Sequence, residues 1–156
     1  MIETRDVVTV ERVIPAPPAA IFDLLADPDR HPDIDGSGTV RRAKEGSQRL
    51  QLGRSFGMAM KLGIPYAMVS TVVEFELDRR IAWETRGPTA IGRLFGGRVW
   101  RYELEPVDGG TRVRESWDLR GEAAATKPFA RKAEASTATS MAATLVRIEA
   151  LLHPAG

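Results

Sequence analysis

Cysteine is absent from all 156 residues. This removes disulfides, thiolate nucleophiles and every cysteine-based metal site together, and it suits a reducing, cytoplasmic location. No apolar run approaches the roughly 20 residues that a membrane-spanning helix needs. The opening MIETRD lacks the basic segment and apolar core of a secretory signal, so no integral membrane contact is expected. Charge of one sign is missing too: 22 basic residues face 21 acidic ones, a net +1 that exerts no global pull on nucleic acid. Only two histidines are present, and there is no Gly-x-Ser-x-Gly and no glycine-rich phosphate loop. What remains is 43% hydrophobic and 28% charged residues, the composition of one globular domain spanning 1–156.

Read in order, Val7 to Ile14 is a β-branched strand ended by Pro15-Ala16-Pro17-Pro18. Ala19 to Ala26 forms a short helix, and DPDRHPDIDGSG allows only a second helical turn. Thr39 to Glu45 is polar enough for an edge strand. Phe56, Met58, Met60 and Leu62 alternate with smaller or polar residues, so that strand has one buried face. Val69, Thr71, Val73, Phe75 and Leu77 are expected on the inner face of the next, with Ser70, Glu74 and Glu76 outside. After Asp78-Arg79-Arg80, the residues Ile81, Trp83 and Thr85 continue inward.

Arg98 to Leu119 reads as a hairpin about Asp108-Gly109. That turn sets Leu104 opposite Val113, Tyr102 opposite Glu115 and Trp100 opposite Trp117. On the other face it sets Glu105 opposite Arg112 and Glu103 opposite Arg114. Complementary charges outside and aromatics inside are what cross-strand pairing favours, and a slip of one residue puts both faces out of phase.

A long helix is expected over Pro128 to Leu152, with Thr126 as its cap, Pro128 in its first turn and His153-Pro154 as its stop. Its stripe runs Phe129, Ala133, Ser136, Thr137, Ser140, Met141, Thr144, Leu145, Ile148, Leu152. The end of that stripe fills space, whereas its middle is Ala, Ser and Thr. A helix that thins in its middle implies a void beneath it.

The opening VTVERVIPAPPAAIFDLLADPDRHPDI, the strand turn STVVEFELDRRIAWET and the hairpin WRYELEPVDGGTRVRESW resemble the START-like superfamily, in particular its bacterial polyketide cyclase/dehydratase-like (SRPBCC) branch. The resemblance covers nearly the whole chain. It implies an α+β helix-grip fold: a curved antiparallel sheet of about seven strands wrapped around the long C-terminal helix, with two short helices after strand 1 and a ligand cavity between sheet and helix. The superfamily holds carriers, sensors, enzymes and antitoxins, so the fold alone assigns no activity.

Glu115 is the residue that stands out, a carboxylate on an apolar face opposite Tyr102. There it is either a polar anchor or general base in a pocket, or a brace of the sheet. With Met58, Met60, Phe75, Trp83, Trp100, Tyr102, Trp117, Ser136, Ser140, Met141 and Thr144 it makes up the expected ligand-binding set. The loop GPTAIGRLFGGR offers Ile91, Leu94 and Phe95 as a gate, or as a contact surface for a protein partner or a second copy of the chain. His31, Asp33 and Asp35 imitate a calcium loop but fail its spacing, since Arg42 stands where a bidentate Glu is needed. They read instead as caps and turns, with His31 at the cavity mouth as the alternative.

The expected function is therefore binding of a small, largely apolar molecule, lipid, polyketide or isoprenoid-like, as carrier or sensor, with no metal and no cofactor. The alternatives are a cyclase or dehydratase using Glu115 and Tyr102, and a protein-binding module such as an antitoxin.

Overall fold

The computed structural model describes residues 6–37, 40–43, 49–62, 64–87 and 94–153, with the backbone alone described at 40–43, 58–62 and 64–67. Strand β1 (Val7–Ile14) leads into α1 (Pro18–Leu25), a 3-10 turn (Pro28–Arg30) and α2 (His31–Ile34). Six strands follow: β2 (Val40–Ala43), β3 (Ser55–Leu62), β4 (Ile64–Glu76), β5 (Arg80–Arg86), β6 (Gly96–Val107) and β7 (Gly110–Asp118). Two helices close the chain, α3 (Lys127–Lys132) and α4 (Glu134–Leu152). The seven strands form one antiparallel sheet in the order β1-β7-β6-β5-β4-β3-β2, a meander with the first strand laid against the last. Helices cover one face, which is the helix-grip arrangement.

Proline explains the first turns. Pro18 starts α1 at a position where a missing N–H costs nothing, and Asp27 caps the 3-10 turn by accepting the backbone N–H of Asp29 at 3.1 Å. The apolar side of α1, Ile21, Phe22 and Leu25, packs with Ile14, Ile81, Leu104, Val113, Leu145 and Ile148 into the main core. Each of these buried side chains contributes roughly 1.5–3 kcal/mol relative to exposure.

The hairpin has the register that its turn dictates: Trp100 faces Trp117, Tyr102 faces Glu115 and Leu104 faces Val113. Outside, Arg112 meets Glu105 at 3.0 Å, but Glu103 and Arg114 choose other partners. Arg80 reaches Glu103 at 3.2 Å, and Arg114 reaches Glu11 at 2.6 Å. The hairpin lies inside a wider sheet, so each outward residue has a neighbouring strand on its other side competing for it.

Two expectations need correction. In β4, Ser70 and Val72 are buried, whereas Val73 and Leu77 are 42% and 60% exposed. For Ser70, Val72 and Val73 the cause is a bulge between Val72 and Glu74, because Val72 pairs with Trp83 while Glu74 pairs with the very next residue back, Ala82; Leu77 lies past the strand's end, in the turn. The extra residue shifts the alternation by one. Met68, Ser70 and Val72 face inward before it, and Phe75 does after it.

The C-terminal helix is also not continuous. Ala133 has φ −91° and ψ 0°, and its N–H bonds to the carbonyl of Ala130 in a tight turn between α3 and α4. The break rotates the first turn out of phase, so Ala130 is buried and Phe129 is 71% exposed. Thr126 does not cap with its side chain; its hydroxyl donates to Glu122 at 2.9 Å.

The small residues in the middle of α4 have a structural use beyond leaving space. Gly36 packs against them so closely that a Cβ there would lie 2.3 Å from the carbonyl oxygen of Ser140. Its N–H donates to the hydroxyl of Thr144 at 2.9 Å. Replacing Gly36 by Ala must push the loop off the helix. We expect Gly36→Ala to lower unfolding free energy by about 1–3 kcal/mol in urea titration, as overpacking does.

Candidate functional site

The inner faces of three adjacent strands set the floor of a cavity of about 160 Å³. Trp83 of β5 stands opposite Trp100 of β6, and Tyr102 two residues along stands opposite Glu115 of β7. Phe56, Met68, Ser70 and Thr85 extend this wall towards β3 and β4. The roof has two halves. His31, Ile34, Asp35 and Ser37 come from α2 and the loop after it, and Ser140, Met141 and Thr144 come from α4.

The aromatic rings of the floor support one another. His31 stacks on Trp83 at 5.0 Å with an interplanar angle of 24°, and Phe56 meets Trp83 edge-on at 5.6 Å. Nε2 of His31 lies 2.8 Å from the carbonyl oxygen of Leu25. Burial pushes the pKa of this imidazole down despite that hydrogen bond and the nearby Asp27 and Asp35. A neutral ring donating through Nε2 leaves Nδ1 as an acceptor.

Glu115 is 2% exposed. The hydroxyl of Tyr102 donates to its Oε1 at 2.8 Å, and its Oε2 has no hydrogen-bond partner among the described residues. Burial raises the carboxyl from its ordinary 4.5 to about 8, with the Tyr102 hydrogen bond working against the rise and the charge of Asp35 adding to it. Burial, then the neighbouring Glu115, lifts the Tyr102 hydroxyl well above its usual range. Near pH 7 the pair is therefore a neutral acid beside a neutral phenol. Such a pair can offer a proton or a hydrogen bond to whatever enters.

A family model described as "Polyketide cyclase / dehydrase and lipid transport" matches residues 5–153. The chain belongs to that family. Among curated proteins it is 35% identical over 113 residues to the uncharacterized protein Rv0088 of Mycobacterium tuberculosis, covering 71% of this chain and 46% of that protein. The chain thus spans about half the length of the curated relatives it matches. Protein CV1439 of Chromobacterium violaceum superposes with a TM-score of 0.72 at 20% identity, over 96% of this chain and 98% of its own. The AHSA1-like protein of Aeromonas hydrophila superposes with a TM-score of 0.66 at 18% identity, over 96% and 97%. At these identities the superpositions speak for the fold, and with the family match they point to a ligand-binding helix-grip domain.

Within this family member, Trp83, Trp100, Tyr102, Glu115, Ser140, Met141 and Thr144 stand together on the cavity wall. Three residues of the expected set stand off it. Phe75 packs edge-on against Phe22 at 5.5 Å in the main core. Trp117 lies behind the wall with Leu119, Ala130 and Met141. Ser136 is exposed, its hydroxyl returned to the carbonyl of Ala133 at 3.0 Å, a consequence of the helix break. Leu94 and Phe95 are 69% and 44% exposed and do not line the cavity. Ile91 and the side chains of Met58 and Met60 lie outside the described residues.

The residues that sequence reasoning missed divide by cause. Met68 and Ser70 were hidden by the bulge, which reverses the face of β4 on which they stand. Ile34, Asp35 and Ser37 sit in a segment whose prolines and aspartates read as turns, where His31 alone is offered at the cavity mouth, as the alternative reading. Its one available signal was a lone Ile beside a lone His.

The raised carboxyl has a measurable consequence. Unfolded, Glu115 loses its proton near its ordinary 4.5; folded, it keeps it to about 8. Between these values only the unfolded chain is ionised, so stability falls as pH rises, by up to about 1.4 kcal/mol per pH unit. His31, held neutral, loses stability in the opposite direction, as pH falls below its ordinary 6.5. The informative quantity is therefore the difference between wild type and Glu115→Gln. We expect urea denaturation at several pH values to show the wild type losing ground to the variant steadily from pH 5 to pH 8.

Proposed function

We propose that the chain binds a small, largely apolar molecule between the sheet and α4, as a carrier or sensor for a lipid, polyketide or isoprenoid-like compound. The observation that carries this reading is Oε2 of Glu115, a buried polar atom on a mostly apolar cavity wall with no partner among the described residues. A carboxyl that only braced the sheet would be expected to have both oxygens engaged, since an unmet buried polar atom costs about 1–3 kcal/mol. An apolar cavity of about 150 Å³ can take one benzene ring. The 160 Å³ available here would take one ring or an equivalent branched segment, with the rest of a larger ligand towards the mouth. Trp83 and Trp100 would supply apolar area, and Tyr102 with Glu115 would fix orientation.

One observation favours a second reading, an enzyme of the cyclase or dehydratase kind. Asp35 lines the same cavity, and its charge reaches both Glu115 and Tyr102. A neutral acid and a second carboxyl group about one substrate are the parts of acid–base chemistry. The exposed Leu94 and Phe95 are the surface that the protein-partner alternative would use.

Native mass spectrometry on protein purified gently from its own host distinguishes these readings. We expect a bound species of small-molecule mass, released on unfolding, and its loss in Ser140→Leu, which fills the cavity from the roof. A bare wild-type mass accompanied by a stoichiometric second protein would instead support the partner reading. A bound compound converted to another on incubation would support the enzyme.

A further inference from the structure

The cavity wall carries a charge pattern that narrows what can enter. Two of its residues are acidic, Asp35 and Glu115, and none of the described residues lining it is lysine or arginine. His31, the one imidazole, is held neutral by burial and turns Nε2 away to the carbonyl of Leu25. An anionic ligand would meet the charge of Asp35 with no cation among the described wall residues to offset its desolvation, which is costly in a low-dielectric site. Fatty-acid and phosphate headgroups are thereby disfavoured.

The wall's polar atoms narrow the choice further. Hydroxyls are mostly engaged with one another or with backbone: Ser70 with Thr85 at 2.8 Å, Ser37 with Asp35 at 2.7 Å, and Thr144 with the carbonyl of Ser140 at 3.0 Å. Oε2 of Glu115 has no partner among the described residues. Because Tyr102 donates to Oε1, that oxygen is the acceptor of the pair, and a carboxyl proton is left to Oε2. Burial favours this protonated form at neutral pH.

We propose that the occupant is an uncharged molecule whose carbonyl oxygen, of the ketone, ester or amide class, accepts a hydrogen bond from Oε2 of Glu115. This rests on the container reading above and specifies what the anchor takes.

Four probes of nearly one shape separate the claims: acetophenone, ethylbenzene, benzoate and benzylammonium. Each is titrated into 15N-labelled protein at pH 7, with the indole N–H resonances of Trp83 and Trp100 as the readout. Acetophenone should bind on the order of tenfold tighter than ethylbenzene, the increment of one hydrogen bond in a dry site. Benzoate should bind at least about tenfold more weakly than ethylbenzene, and benzylammonium no tighter than ethylbenzene. In Glu115→Gln the amide can accept from Tyr102 and still donate, so the ketone preference should persist. In Glu115→Leu it should vanish while ethylbenzene still binds.

Equal binding of acetophenone and ethylbenzene to the wild type would overturn the carbonyl inference and leave the container standing. Benzylammonium or benzoate as the tightest probe would overturn it in favour of an ion pair. If none of the four binds, the container reading falls and the inference with it. Should Glu115→Leu fail to fold, the wild-type panel still decides.

Discussion

One helix has to cover a sheet wider than itself. An α-helix with its side chains is roughly 10–12 Å across, whereas strands spaced about 4.8 Å apart make a seven-stranded sheet roughly 29 Å wide. α4 can therefore seal only part of the inner face, and it does so over β1, tied by the ion pair between Arg12 and Glu149. α1, the 3-10 turn and α2 cover other parts, with Phe22 and Leu25 in the main core and His31 stacked on Trp83. These two covers meet where Gly36 lies on the backbone of Ser140. Beneath the seam the two covers leave part of the floor unfilled, and that is where the cavity lies.

The same geometry explains which polar groups are kept dry. Most charged side chains of β4 to β7 point to the outer face, where Glu74, Arg101, Asp118 and Arg120 form a linked row of ion pairs. Asp118 in that row is buried, and its hydrogen bonds with Arg120 hold its carboxyl down to about 2. Glu115 is on the opposite face because the hairpin register puts it there, between Val113 and Trp117. A carboxyl in that position weakens the empty protein at neutral pH, and its neighbour Tyr102 relieves only one of its oxygens. Carboxyls with strongly shifted pKa values cluster at functional sites.

The sequence was most legible where two independent signals agreed. In the hairpin, turn chemistry and cross-strand pairing both demanded Tyr102 opposite Glu115, and the structure has that pairing. It was least legible where one residue changed the phase. Period-two reading of β4 could not reveal that Val73 is an insertion, because every residue from Val69 to Val73 is apolar or a small alcohol and either face would serve. Ala133 hid its break for a similar reason: alanine is the best helix former, and nothing local forbids it from staying helical. Phe129 and Ser136 were misplaced with it. The roof residues from α2 were unreadable because short turns carry no periodicity, and their placement over Trp83 depends on contacts distant in sequence.

The bulge in β4 also governs which alternative pairings this sheet can reach. A regular strand can slide along its neighbour by two residues and find its inward side chains inward again, the route by which sheets mispair. β4 changes phase at Val73, so any such shift carries the irregularity away from its place opposite Trp83 and Ala82. On one side of the old position, the buried and solvated residues would then exchange faces. The strand works as a key with an offset tooth: only one alignment closes, and the longest strand of the sheet thereby fixes the alignment of its neighbours on either side.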